Sequence, residues 1–180
     1  ADEALWSDAV YVSHHSETPA DLHARLRLLV EPGKGQQLVD AIYEETQALV
    51  RSDTFHGGCD LNAFFRQVEE KSDIHCPVEK VKRAMIVEYV KPLVDRTIRH
   101  ATLEWVADWA DETGRRFHLY GRNWDQHPRF ARYHQGVAEH GEHLAEISRR
   151  SVFNLHMGLI PALHQRALEV LAAGGMVLFR

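Results

Sequence analysis

Short apolar segments alternate with longer amphipathic segments along this chain. Segment 8–13 is β-branched and aromatic and ends in polar residues, which predicts a buried strand running into a loop. Segments 116–121, 152–156 and 176–179 have a similar texture and predict three more strands. Because helical patterns separate these segments, we expect four parallel strands in one sheet covered by helices.

A long run of helical patterns lies between the first two predicted strands. Apolar residues at helical spacing, bounded by proline or glycine, predict several helices over residues 20–112. Pro92 falls within one of them and is expected to kink or break it, because proline lacks the N–H that the helix needs. Trp105 and Trp109 are four residues apart, which is typical of core residues on one helix face.

The C-terminal third has the order strand, loop, helix, strand. Residues 157–160 predict a tight loop, and Pro161 suits the first position of the following helix. Gly174 and Gly175 suit its C-terminal end. We therefore predict an α/β fold, a Rossmann-like parallel sheet with a large helical insertion after the first strand.

The helical run exceeds what one crossover needs, and this sets the expected domain division. The first strand of the lobe lies at 1–18, the helical insertion at 19–115 and the main α/β portion at 116–180. A doubly wound sheet normally continues with a covering helix. Because this chain stops directly after a strand, we interpret it as part of a longer protein.

Composition narrows the class of protein. The chain has 180 residues, of which 44% are hydrophobic and 26% charged, as in a globular domain or one lobe of a larger protein. A net charge of −5 argues against a general affinity for nucleic acid. No apolar run in the sequence approaches the length of ~18 residues that a membrane-spanning helix needs. With two cysteines and no signal-peptide pattern at its start, the chain is expected to be cytoplasmic.

Polar residues follow the predicted strands at the edge where open α/β sheets bind ligands. These residues are His14, Gly121, Arg122 and Gly158. A helix that begins near Pro161 would direct free N–H groups and a partial positive charge toward the same edge. Such a terminus suits a phosphate or diphosphate.

Three side chains of that helix add to this pattern. His164 and Arg166 fall in its first turns and offer cationic contacts, while the Glu169 carboxylate can accept two hydrogen bonds from the vicinal hydroxyls of a ribose. Together they suit a nucleotide. The alternative is a surface helix on which Arg166 and Glu169 form a solvated pair. Likewise, His14 can instead cap backbone groups of its loop, and Trp124 can pack against the sheet rather than stack on a base.

The C-terminal part of the sequence resembles the C-terminal half of spore-maturation-type glycosyltransferases, within the wider GT-B group of family-1- and family-4-like enzymes. The most specific element is His-x-Arg-x-x-Glu-x-Leu-Ala-Ala-Gly-Gly at 164–175. Supporting elements are Leu-Tyr-Gly at 119–121, Trp124, the run 136–144 and Asn-Leu at 154–155. The resemblance covers residues ~116–180 and extends plausibly to the strand at 8–13.

This resemblance implies a bacterial-like, nucleotide-sugar-binding lobe. It implies that Glu169 lies at the donor ribose. It also implies that the loop containing Gly158 and the start of the next helix lie near the diphosphate. Arg166 would then have a donor-phosphate or structural role. The family's Glu-x7-Glu pattern would put an acid at position 161, where this chain has Pro161. The group holds the diphosphate without a metal, so we expect no metal and no cofactor beyond the donor substrate.

Two functions remain open from the sequence. One is a glycosyltransferase domain that transfers sugar from a nucleotide-diphosphate donor to an unknown glycan, protein or small-molecule acceptor. The other is a non-catalytic nucleotide-binding or protein-interaction lobe derived from such an enzyme. The chain has 13 histidines, but no HExxH motif occurs, and we expect His134, His140 and His143 not to converge on a metal.

Overall fold

The computed structural model describes residues 5–52, 59–159 and 164–180. Its strands are β1 (Ser7–Val12), β2 (Phe117–Tyr120), β3 (Ser151–His156) and β4 (Val177–Phe179). Its helices are α1 (Pro19–Arg27), α2 (Lys34–Arg51), α3 (Leu61–Ser72), α4 (Glu79–Met85), a π-helical turn (Ile86–Val90), α5 (Lys91–Thr113), α6 (Glu142–Arg149) and α7 (Gln165–Ala172). Two short 3-10 turns lie at Trp124–Gln126 and Ala131–Tyr133.

The four strands form one sheet in the order β2-β1-β3-β4. The pairs β1–β2, β1–β3 and β3–β4 are all parallel. The predicted parallel sheet is therefore confirmed, and with it the α/β, Rossmann-like fold class, which is consistent with a GT-B lobe. Parallel pairing follows from the helical crossovers, because a tight hairpin can join only antiparallel neighbours.

The chain divides into two compact units. The first contains the residues up to Ser16 together with Thr102–Arg180, and the second contains Glu17–Ala101. Helix α5 begins in the second unit and ends in the first. The domain division predicted from the sequence, at 1–18, 19–115 and 116–180, stays a prediction.

The core of the sheet unit is centred on β1. Val10 is fully buried and packs with Tyr120 of β2 and Ile147 of α6. At the amino end of the strand, the Asp8 carboxylate accepts hydrogen bonds from the Arg116 N–H at 2.9 Å and from Nη1 of Arg115 at 3.0 Å. These bonds join the starts of β1 and β2 and so help to set the sheet register.

The helical unit has its own apolar core. Ile42 of α2, Phe65 of α3 and Val90 of the π-helical turn are each fully buried. This core follows from apolar residues at helical spacing on each helix, as the sequence predicts. Among the described residues, no helix has both the length and the apolar character that crossing a bilayer requires.

Pro92 does not break its helix, so the break that the sequence offered as one of two outcomes is wrong, while a kink stays a prediction. Helical structure continues from α4 through the π-helical turn Ile86–Val90 into α5, where Pro92 is the second residue. The wider turn just before it offers an explanation, since a π turn changes which carbonyls the following residues face. Proline is tolerated at the start of an α-helical segment, where its missing N–H costs least.

Candidate functional site

The carboxyl ends of β1 and β3 lie side by side. Val10 pairs with Asn154, so the strands reach their last residues, Val12 and His156, at the same edge. The chain leaves β1 and next joins the sheet at β2 on one side, whereas after β3 it joins at β4 on the other side. A topological switch point therefore falls between β1 and β3, where open α/β sheets form a ligand crevice. His14 and Gly158 each lie two residues beyond these strand ends.

The loops that follow β1 and β2 are held together by hydrogen bonds. The Ser13 N–H donates to the Tyr120 carbonyl at 2.9 Å, and the His15 N–H donates to the Arg122 carbonyl at 3.0 Å. Nε1 of Trp124 donates to the Ser13 carbonyl at 2.6 Å. These bonds give the first half of the site a defined backbone path.

Gly121 allows these two loops to approach each other. A Cβ added there would lie 2.0 Å from the Ser13 carbonyl oxygen, well inside van der Waals contact, and the residue has φ +141°. Its own N–H donates to the Gly136 carbonyl at 2.8 Å. The structure thus gives Gly121 a backbone-packing role, and its contact with a donor stays a prediction.

His14 caps a backbone group, as the alternative reading of this residue expected. Its Nδ1 accepts a hydrogen bond from the Arg122 N–H at 2.9 Å. In the neutral ring this bond places the proton on Nε2, because Nδ1 acts as the acceptor. The His14 side chain is exposed. It can therefore offer an Nε2–H donor at the crevice while remaining anchored to the loop.

Trp124 packs against the sheet edge and does not stack in an open site. Its side chain is fully buried. The ring lies edge-on to Tyr11 and to Phe130, with centroids 6.4 Å and 5.8 Å away, and tilted over His15 at 4.9 Å. The packing interpretation is confirmed, and a base-stacking role is excluded in this conformation.

The second half of the site is the start of α7. The expected helix start at Pro161 lies outside the described residues, and within them α7 begins at Gln165. His164 is its N-cap, and Nδ1 accepts from the Arg166 N–H at 3.2 Å. The sequence predicted His164 in the first turns of the helix. It lies just before the first turn instead, because its backbone is extended and its ring caps the helix. The ring also lies 5.1 Å from that of His156 at the end of β3.

Glu169 already has partners on its own helix. Nε2 of Gln165 donates to Oε1 at 2.8 Å, and Nε of Arg166 lies 3.8 Å from Oε2. The Arg166 and Glu169 side chains are 28% and 37% exposed, so the pair is solvated, as the alternative interpretation described. A ribose diol would have to replace the Gln165 amide at the carboxylate. Gln165 was not singled out in the sequence, although its i to i+4 spacing from Glu169 was the available signal.

Gly158 lies where the sheet ends. Its N–H donates a long hydrogen bond of 3.4 Å to the Arg180 carbonyl, while the Arg180 N–H donates to His156 at 3.0 Å. The β3–β4 ladder thus continues past its last paired residues. Gly158 is adjacent to the switch point, and its weak bond is one that a competing acceptor can replace.

The histidines near the site have protein partners. Nε2 of His134 lies 2.7 Å from the Gly121 carbonyl, and Nδ1 of His143 accepts from the Glu139 N–H at 3.2 Å. Within the described ranges, no group of three or more His, Cys, Asp and Glu residues has a geometry that could hold a metal ion. That the protein needs no metal is implied by the family resemblance and remains a prediction.

The fold and the crevice define a Rossmann-like α/β lobe with its ligand edge at a switch point. Residues 96–180 match the family described as glycosyl transferase-like. This match supports a GT-B glycosyltransferase-like family for that part of the chain, and with it a role in glycosyl transfer in general. The spore-maturation type stays a prediction. No curated protein and no solved structure matches the chain significantly.

Proposed function

We propose that the sheet unit binds a nucleotide-diphosphate sugar at the crevice between His14 and Gly158 and takes part in transferring the sugar to an acceptor. The observation that carries the proposal is the switch point between β1 and β3, with the start of α7 following the second of these strands. Open parallel sheets bind nucleotides at such points. The glycosyl transferase-like match over residues 96–180 supports the reaction class.

The donor diphosphate is assigned to the amino end of α7. The partial positive charge of this helix end suits a diphosphate, which would replace the His164 ring as the acceptor for the Arg166 N–H. Arg166 supplies a guanidinium one residue into the helix, and His14 supplies an exposed ring. As the glycosidic bond to the leaving diphosphate breaks, these groups stabilise the charge that develops on it.

Glu169 is assigned to the donor ribose. Its carboxylate lies on the same helix as Arg166, one turn further along, and is partly exposed. Two ribose hydroxyls would donate to the two carboxylate oxygens and replace the Gln165 amide.

Calorimetric titration of the chain with UDP, GDP and their sugars tests the proposal. Glu169→Ala removes two charge-assisted hydrogen bonds, each worth roughly 1.5–3 kcal/mol at most. Nucleotide affinity should therefore fall at least about tenfold, since ~1.4 kcal/mol corresponds to a factor of ten. Glu112→Ala, at an exposed position of α5, is the matched control and should bind as the parent does. Equal affinity in both variants would reject this donor site.

A non-catalytic nucleotide-binding lobe is the second candidate. It is favoured by Pro161 at the position of the family's first acid and by the partners that Glu169 already has on α7. Donor hydrolysis separates the two functions once binding is established. Release of free sugar from the bound donor supports transfer, and tight binding without release supports the non-catalytic lobe.

A further inference from the structure

A cavity on the sheet unit has a lining that does not include the residues assigned to the donor. Its volume is about 480 Å3, within the range of about 300–1,000 Å3 that small-molecule pockets have. Trp105 and Trp109 of α5 form one wall, and Phe153 and Leu155 of β3 form another. The buried Ala9 of β1 contributes only a methyl group, which leaves space between helix and sheet.

Beside this cavity, helix α5 buries a different stripe of residues from the one that its two tryptophans mark. The residues that α5 buries here are Leu103, Ala107 and Ala110, spaced at four and three residues. Trp105 lies off this stripe and is 50% exposed, so the expectation that it is a core residue is wrong. A half-exposed indole at the rim of an apolar cavity is a feature that a folded core does not require.

One positive charge is fixed at this rim. The Arg180 guanidinium lies over the Trp105 ring at 3.6 Å from its centroid, and Nη1 donates to Oγ1 of Thr102 at 2.9 Å. Among the described residues that line the cavity, Arg180 alone is charged. The site therefore combines an apolar volume with a guanidinium that contacts both Trp105 and Thr102.

We propose that this cavity binds a small amphipathic anion, with its apolar body between α5 and β3 and its anionic group at Arg180. The lining matches the apolar body, and Arg180, as the one charged residue among the described lining residues, favours an anion over a neutral or cationic head group. The cavity lining does not include His14, Arg166 or Glu169, and it adjoins the donor site at Gly158, whose N–H donates to the Arg180 carbonyl.

Three probes with the same alkyl chain test the charge preference. Octanoate, octanol and octyltrimethylammonium are titrated into the chain below their micelle concentrations, with tryptophan fluorescence and calorimetry as readouts. Octanoate should bind saturably, one per chain, and at least about tenfold more tightly than octanol, a difference of ~1.4 kcal/mol. Octyltrimethylammonium should bind most weakly.

The chain supplies a matched control pair for the variants. Arg116 lies over Trp6 at 5.2 Å in a similar cation–π arrangement outside the cavity. Arg180→Gln and Trp105→Ala should each weaken octanoate binding at least tenfold, whereas Arg116→Gln and Trp6→Ala should not. The proposal fails if the three probes bind equally, if none saturates, or if both pairs of variants behave alike. Self-association that removes octanoate binding as protein concentration rises would also overturn it, by placing a second copy on this face.

Discussion

The carbonyl oxygen of Ser13 lies 2.0 Å from the position that a Cβ on residue 121 would occupy. Gly121→Ala should therefore force apart the loops that follow β1 and β2. We expect a loss of about 2 kcal/mol or more in the free energy of unfolding, because strain of this kind costs roughly 1–3 kcal/mol and a backbone clash adds to it. Denaturation in urea, monitored by circular dichroism, measures this loss.

Gly114→Ala is the control for this change. Gly114 has φ +68°, but no described atom lies within 4 Å of a Cβ added there. It should lose only about 1 kcal/mol, the cost of a left-handed backbone for a residue with a side chain. Equal losses in the two variants would mean that the close approach to Ser13 contributes nothing.

His118 should make stability depend on pH. Burial lowers the pKa of His118 below its ordinary value, and the nearby Arg116 charge lowers it further. Among the described residues, none is a hydrogen-bond partner for its buried Nδ1. Since the unfolded chain then binds the proton more readily than the folded one, stability is full above about pH 6.5 and falls as the pH drops below it.

The test compares unfolding free energies between pH 7.5 and 5 in His118→Leu and the parent. The variant should lose part of the acid-side decrease, by at most about 1.4 kcal/mol for each pH unit. His140→Leu replaces an exposed histidine and should keep the parental slope. An unchanged slope in His118→Leu would show that another group is responsible.

Trp124 should contribute to stability through one polar bond as well as through packing. Trp124→Phe keeps an aromatic ring but removes the donor to the Ser13 carbonyl. We expect a loss of about 1–3 kcal/mol from the hydrogen bond, together with a smaller packing defect. Thermal unfolding checks it. Unchanged stability would mean that water replaces the indole N–H at no cost.

Arg166 should distinguish a diphosphate from a bare nucleoside. Because its proposed partner is phosphate, Arg166→Ala should weaken binding of the nucleoside diphosphate and leave the nucleoside nearly unaffected. A charge-assisted bond of roughly 1.5–3 kcal/mol corresponds to a loss of about tenfold or more. Calorimetry on both ligands measures the difference. Equal losses for the two would instead indicate that Arg166 acts by positioning Glu169, which lies 3.8 Å away.

The sheet was largely predictable from local patterns. Segments 8–13, 116–121, 152–156 and 176–179 correspond to β1 to β4 within one residue at each end. Parallel pairing followed from the helices between them, because such crossovers leave few other arrangements. The same order of elements also predicted that His14, Gly158 and the start of α7 lie at the carboxyl edge of the sheet.

The tertiary structure decided what each side chain does at that edge. The sequence placed Glu169 on a helix, but its contact with Gln165 depends on rotamers that spacing alone does not fix. The approach of Gly121 to Ser13 joins two loops that are distant in the chain. Trp105 has the spacing of a core residue, yet α5 buries Leu103 and Ala107 instead. Which stripe of a helix is buried depends on how it packs against its partners, so local sequence determined the elements and packing determined their exposed faces.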